Sequence, residues 1–238
     1  MFLKIENLKK SFGPQPVLRG IDLEFGQGTL AVLGRSGCGK TTFLKTLAGL
    51  LPADEGHIFL ENEEITQKSA QHRGIVYLYQ EALLFPHLTV FENVAFGLRL
   101  RKLPENSLKT QVFSMLDDLE IADHAQKMPT EISGGQRQRV AFGRALIVRP
   151  KLLLLDEPFG SLDTETRAAM QFFFKKKVAE HGVRSIFVTH DLKEALVVGD
   201  RLGLMADGFL HVYPSVGAFV SDEKTGVRGE MDFWKNVN

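Results

Sequence analysis

The stretch Gly34-Arg35-Ser36-Gly37-Cys38-Gly39-Lys40-Thr41-Thr42 constrains this chain more than any other. It fits the pattern G-x-x-x-x-G-K-[ST], with Gly34, Gly39, Lys40 and Thr41 on the fixed positions. Glycines let a backbone curl until successive N–H groups point at phosphate oxygens, and a helix starting there adds the positive end of its dipole. In such a loop the lysine reaches the β- and γ-phosphates and the Thr hydroxyl ligates Mg²⁺. The flanks agree. Thr29 to Leu33 reads as a buried strand, and Phe43, Leu44, Leu47 and Leu51 fall at helical spacing. Strand, loop and helix form the setting that phosphate binding requires.

Composition sets the bounds around this loop. The 238 residues suffice for one large domain, or one domain with an inserted lobe. Acidic and basic residues number 29 each, so no global field draws the chain to nucleic acid or an anionic membrane. No run approaches the roughly 18 to 20 apolar residues of a spanning helix. Met1 to Glu6 carries charge too early for a signal peptide, and the single cysteine, Cys38, excludes an internal disulfide. These features fit the cytosol.

Along the chain, Leu3 and Ile5, then Ile21, Leu23 and Phe25, alternate with polar residues around the turn Gly13-Pro14-Gln15-Pro16. That is antiparallel β-structure with one solvated face. His57 to Leu60 and Ile75 to Leu78 are further strand candidates. Residues 81–145 read as a largely helical insertion, with Val112, Met115, Leu116 and Leu119 as one stripe. Leu152 to Leu155 is the continuous apolar run of a strand buried on both faces. Thr164 to His181 reads as a helix with Met170, Phe173, Phe174 and Val178 inward, and Lys175-Lys176-Lys177 on a solvated face. Ser185 to Thr189 is another buried strand, followed by a helix from Asp191. Leu202 to Met205 and Phe209 to Tyr213 complete the sheet. Alternating strands and helices make this an α/β fold.

Polar groups cluster at predicted strand ends. Asp156 and Glu157 follow the four leucines, at the edge where parallel sheets bind ligands. Asp156 is placed to hold Mg²⁺ through a water, and Glu157 to polarise a water in line with the γ-phosphate. His190 ends a second strand and points to the same edge as a γ-phosphate contact. Gln80 ends a third, where its amide binds Mg²⁺ or the attacking water. Ser133-Gly134-Gly135-Gln136 opens a helix, a second anion-seeking turn. Cys38, at a helix N-terminus, is expected to have a lowered thiol pKa.

Together these elements resemble the ATP-binding subunit of ATP-binding cassette (ABC) transporters, over about residues 2–213. The signature, usually Leu-Ser-Gly-Gly-Gln, stands as Ile132-Ser133-Gly134-Gly135-Gln136. The D-loop resembles Ser161-Leu162-Asp163, the H-loop His190 and the Q-loop Gln80, and Phe12 sits where the family stacks an aromatic on adenine. The resemblance implies a P-loop NTPase of the ABC ATPase type, with an antiparallel β subdomain and a helical subdomain inserted in the core. Residues 1–213 would form the ATPase and 214–238 a short tail, with no room for a regulatory domain. It also implies a head-to-tail homodimer holding ATP and Mg²⁺ between the phosphate loop of one copy and Ser133 to Gln136, with Asp163, of the other. Thr41, Gln80 and Asp156 would take the metal; Lys40, Gln80, Glu157 and His190 would act on the phosphates and water. Closure would drive two transmembrane permease subunits that contact Gln80 to Val94, with a solute-binding protein in the full complex. In the Leu84 to Val94 run, Phe85, Leu88 and Val90 suit either an exposed permease contact or a core for the helical lobe. Import is the expected direction; lipoprotein extraction, export and a non-transport mechanical role are the alternatives. Nucleic acid is not an expected partner. Gly143, inside the signature helix, costs about 1 kcal/mol relative to alanine, and sequence gives no reason for it beyond close packing.

Overall fold

A computed structural model describes residues 2–227. The elements in chain order are β1 (Leu3–Phe12), β2 (Gln15–Phe25), β3 (Thr29–Leu33), α1 (Lys40–Ala48), β4 (Glu55–Leu60), β5 (Glu63–Glu64) and β6 (Ile75–Leu78). Then come α2 (Val90–Leu100), α3 (Glu105–Asp118), α4 (Gly134–Leu146), β7 (Leu152–Asp156), α5 (Thr164–Glu180), β8 (Arg184–Thr189), α6 (Leu192–Val198), β9 (Arg201–Ala206), β10 (Phe209–Val212) and α7 (Val216–Ser221). They form two compact units, one running to Ile75 and resuming at Arg184, the other spanning Val76–Val183.

The first unit holds an antiparallel sheet of order β2-β1-β4-β5 and a mixed sheet of order β10-β9-β3-β8. The apolar alternation of β1 and β2 decides the first: Leu3, Ile5, Leu8, Leu18, Ile21, Leu23 and Phe25 are all buried. In the second, β3 is fully buried and runs parallel to both β8 and β9, pairing Leu33 with Thr189 and with Leu204. Side chains on both faces of this strand are buried, which is why its sequence is apolar without alternation. Helix α1 stops earlier than the apolar spacing suggests. Gly49 takes a left-handed conformation and its N–H bonds back to Lys45 and Thr46, so Leu51 lies beyond the helix. After β10 the chain turns back on itself: Tyr213 packs edge-on to the buried Phe219 and its hydroxyl donates to Asp222 Oδ2 at 2.7 Å. Trp234 of the tail lies outside the described residues.

In the second unit, β7 lies beside β6, and Leu152 to Leu155 are wholly buried. Helices α2, α3 and α4 meet around Gly143. A Cβ there would sit 2.3 Å from Leu119 Cδ1 and 3.4 Å from Val94 Cγ2, both buried side chains. The helical glycine therefore lets α4 approach Leu119 and Val94 closely. Phe142, Phe159 and Phe174 fill the space under α4 and α5 with tilted and edge-on ring contacts.

One expectation fails here. Lys177 is not on a solvated face: it is 8% exposed, its ammonium 2.9 Å from Glu180 and 3.6 Å from Asp118, over the Phe173 ring. The helical period carries it to the Phe173–Phe174 side, where two carboxylates compensate its burial; Lys175 and Lys176 stay exposed. Of the two readings left open for the Leu84 to Val94 run, Val90 follows the core one: it is buried, and Phe85 and Leu88 are partly buried. Val90 opens α2 and turns its side chain into the helical core.

Gly143→Ala tests the packing argument. Helix propensity alone would stabilise by about 1 kcal/mol, whereas overpacking costs about 1–3 kcal/mol. A net destabilisation of about 1 kcal/mol is expected, read as a lower urea midpoint at unchanged slope.

Candidate functional site

In the first unit the phosphate loop leaves the end of β3 and enters α1. Gly34 N–H donates to Thr189 O at 3.2 Å, so the parallel pairing of β3 and β8 continues one residue into the loop. A side chain at Gly34 is excluded, because its Cβ would stand 2.7 Å from the Met205 carbonyl oxygen. Gly39 has φ 107° and forms the N-cap of α1 without any side-chain cap bond. The first turn of α1 therefore opens at a sheet edge with no side-chain oxygen capping it, the arrangement that favours an anion. Lys40 is buried, and its ammonium donates to Gly34 O at 2.7 Å and Arg35 O at 3.2 Å, drawing the loop around it. Arg35, Ser36, Gly37 and Thr41 are exposed, and Thr42 is half-buried.

His190 follows Thr189 directly, so the exposed imidazole sits on the sheet edge where the loop begins. The turn carrying it is fixed on its far side: Thr189 Oγ1 donates to Glu194 Oε2 at 2.7 Å and accepts from Asp191 N–H at 3.0 Å, while Asp191 caps α6. The β1–β2 hairpin reaches the same loop. Val17 of β2 lies against Gly39, with 3.2 Å from an ideal Cβ to the Val17 carbonyl. Phe12, at the hairpin tip, leaves 49% of its surface exposed, which suits a stacking face.

Cys38 corrects an expectation. Its thiol pKa is raised, since burial outweighs the nearby Lys40 ammonium and the backbone N–H groups. The loop partly buries the sulfur beside Gly34.

In the second unit, Asp156 ends β7 and Glu157 begins the turn after it. Glu157 has φ 47°, a left-handed conformation that costs a non-glycine residue about 1–3 kcal/mol and clusters at functional sites. Asp156 Oδ2 accepts the Tyr77 hydroxyl at 2.6 Å, and burial together with that carboxylate raises the Tyr77 pKa well above its usual value. Gln80 lies near this turn: a Cβ on Gly160 would be 3.0 Å from its amide nitrogen. Strand β6 ends at Leu78, so Tyr79 and Gln80 both lie beyond it and are exposed.

The turn Ser133 to Gln136 is a closed capping box. Ser133 Oγ accepts from Gln136 N–H at 3.2 Å, and Gln136 Oε1 accepts from Ser133 N–H at 2.8 Å. Gly134 has ordinary space around it; at Gly135 a Cβ would meet Thr166 Cγ2 at 2.7 Å, so this glycine lets α5 approach. Asp163 caps α5 through Thr166 N–H at 3.0 Å, which holds its carboxyl below the usual range. Gln138 joins the signature helix to the acidic turn by donating to Pro158 O at 2.8 Å.

Sequence reasoning missed several groups. Tyr77 gave no signal, being one apolar-strand residue among others. Asn93 is fully buried and holds the 85–89 loop through Phe85 N–H at 2.8 Å and the carbonyls of Phe85 and Leu88 at 3.1 and 2.9 Å. Arg144, on α4, donates to Leu83 O at 2.6 Å and lies 5.0 Å from the centre of the Phe85 ring. An asparagine and an arginine on otherwise amphipathic helices carry a detectable signal only as polar residues on the inward stripe.

A raised thiol pKa implies little thiolate at neutral pH. Iodoacetamide should modify Cys38 more slowly than a cysteine in an unstructured peptide at pH 7.5, with the gap narrowing as pH rises, as followed by intact-mass spectrometry.

Residues 18–160 match the family described as ABC transporter. Similar proteins include the spermidine/putrescine import ATP-binding protein PotA of Aggregatibacter actinomycetemcomitans, 42% identical over 207 residues, covering 87% of this chain and 56% of that protein. The sulfate/thiosulfate import ATP-binding protein CysA of Methylococcus capsulatus is 45% identical over 213 residues, covering 87% and 61%. That of Mannheimia succiniciproducens is 46% identical over 213 residues, covering 87% and 60%. The chain thus spans little more than half the length of these relatives. With the phosphate loop, the acidic strand end and the capped Ser-Gly-Gly-Gln turn all in place, the chain belongs to the ABC transporter family.

Proposed function

We propose that this chain is the ATP-hydrolysing subunit of an importer, which closes head to tail with a second copy on ATP and so drives two transmembrane permease subunits. The observation that carries this reading is identity of 42–46% over 87% of the chain to proteins named as import ATP-binding subunits. Those names specify polyamines in one case and sulfate in the other at nearly equal identity. The solute is therefore chosen by the permease and a solute-binding protein. Residues 1–213 serve as the ATPase, with about 81–145 as its helical insertion, and 214–238 as a tail. The chain works at the cytoplasmic face of the membrane, held there by its permeases; among the described residues no helix is long and apolar enough to cross.

Each residue has a role in this reading. Phe12 stacks on adenine. Gly34 to Thr42 hold the phosphates, and the Lys40 ammonium exchanges its carbonyl partners for phosphate oxygens. Glu157 takes a proton from the attacking water, and His190 orients that water and holds the γ-phosphate. Ser133 to Gln136 and Asp163 of the second copy close over the nucleotide. Thr41, Gln80 and Asp156 are hard oxygen donors that fit Mg²⁺, which when bound neutralises charge on the β- and γ-phosphates. Mg²⁺ characteristically takes one or two carboxylates with substrate oxygens and water. Permease contact falls on the 80–89 loop, where Leu83 is 52% exposed. Asn93 and Arg144 fix this loop, and Arg144 shares α4 with the Ser133 to Gln136 turn, so nucleotide contact and permease contact meet on one rigid helix.

Two variants test the reading in the complex with copurified permeases. Glu157→Gln should bind ATP normally, lose about 10² to 10⁴ in turnover and accumulate an ATP-bound dimer in gel filtration. Near wild-type hydrolysis would remove Glu157 from its role. Arg144→Ala should leave ATP affinity unchanged while reducing solute-stimulated hydrolysis about 2- to 30-fold, the range for loss of one coupling contact.

A further inference from the structure

Beyond the motif residues, the turn Ser133 to Gln136 rests on a histidine. Gln136 Nε2 lies 2.8 Å from His124 Nε2, while Gln136 Oε1 accepts the Ser133 N–H. These two contacts are not independent. A backbone N–H must face the amide oxygen, so the amide nitrogen necessarily faces the imidazole. Since that nitrogen is a donor, His124 Nε2 must be the bare acceptor, and the ring proton resides on Nδ1. His124 Nδ1 is buried and finds no hydrogen-bond partner among the described residues. A buried ring nitrogen left unpaired calls for an explanation, and the demand of Gln136 on the opposite nitrogen supplies it.

We propose that His124 is a positioning residue for the signature turn: its neutral ring, with Nε2 as acceptor, locks the Gln136 amide in the one orientation that closes the capping box. A doubly protonated ring has no acceptor. The amide would then have to rotate, placing its NH₂ against the Ser133 N–H and opening the box. The backbone holds His124 in place without help from its side chain. Its N–H donates to Ile121 O at 3.0 Å and its carbonyl accepts from Lys127 N–H at 2.9 Å. The adjacent Ala125 carbonyl accepts from Phe91 N–H at 2.8 Å, at the start of α2. Replacing the imidazole therefore removes an acceptor and leaves the turn that presents it.

The functional consequence rests on the reading that Ser133 to Gln136 close over ATP across a dimer. The test uses the full chain carrying Glu157→Gln, which would hold the ATP-bound dimer. His124→Phe keeps a ring and removes the acceptor; His124→Gln returns an oxygen at the reach of Nε2. His124→Phe should weaken ATP-dependent dimerisation about tenfold, equivalent to one net hydrogen bond, with ATP affinity of the monomer unchanged. His124→Gln should restore dimerisation to within about twofold. Two further readings do not need the dimer. Long-range ¹H–¹⁵N spectra of ¹⁵N-histidine-labelled protein should show His124 as the Nδ1–H tautomer, and the Ser133 amide should exchange about tenfold faster in His124→Phe than in the parent. An Nε2–H tautomer, or unchanged Ser133 exchange in His124→Phe, overturns the proposal. If the Glu157→Gln parent itself fails to dimerise with ATP, the dimer reading fails, and the tautomer and the exchange rate still decide the role of His124.

Discussion

The hydrogen bond from Gly34 N–H to Thr189 O is where sheet becomes site. It extends the parallel pairing of β3 and β8 by one residue and so ends both strands at the same level. From there the two chains diverge in opposite service. One curls into the phosphate loop around the Lys40 ammonium, and the other places His190 on the same edge and turns into α6. Parallel pairing is what makes this possible, since it sends two successive C-terminal strand ends to one side of the sheet. An antiparallel neighbour would have sent His190 away from the loop.

In the second unit the same office falls to α4. Its N-terminus carries the capped turn, its middle passes Gly143 against α2 and α3, and its last turn holds the 83–85 loop through Arg144. Gln138 ties it to the turn after Glu157. A helix anchored at four places along its length moves as a body, because packed interiors transmit displacement and do not absorb it. The cost of Gly143 in helix propensity is offset by the close approach that it permits.

Charge at the site is set by enclosure as much as by residue type. The Cys38 thiol lies at a helix start beside a lysine, both of which favour thiolate, yet burial is the larger effect and raises its pKa. Tyr77 is held as a phenol by burial and by its bond to Asp156, which fixes one carboxylate oxygen and leaves the side chain a defined orientation. Glu157 stands in a left-handed backbone conformation next to it. Such a conformation persists only where surrounding structure over-determines it, and here the Gln138–Pro158 bond and the Gly160–Glu157 turn do so.

The family and the candidate site residues were legible in sequence because the motifs are patterns of spacing. A phosphate loop needs glycines at fixed intervals before a helix, and an acidic pair needs an apolar strand before it. The α/β alternation, the helical stretch around Val112 to Leu119 and the buried run Leu152 to Leu155 follow from periodicity, which is a local property. What sequence did not disclose depends on which side chains meet across the fold. The burial of Val90 and Lys177, the reversed Cys38 shift, the Tyr77–Asp156 bond, the hold of Asn93 and Arg144 on the 83–89 loop and the His124–Gln136 contact all join residues distant in the chain or depend on enclosure. Solvent exclusion and hydrogen-bond partnership are decided by neighbours in space, so only the tertiary structure could assign them.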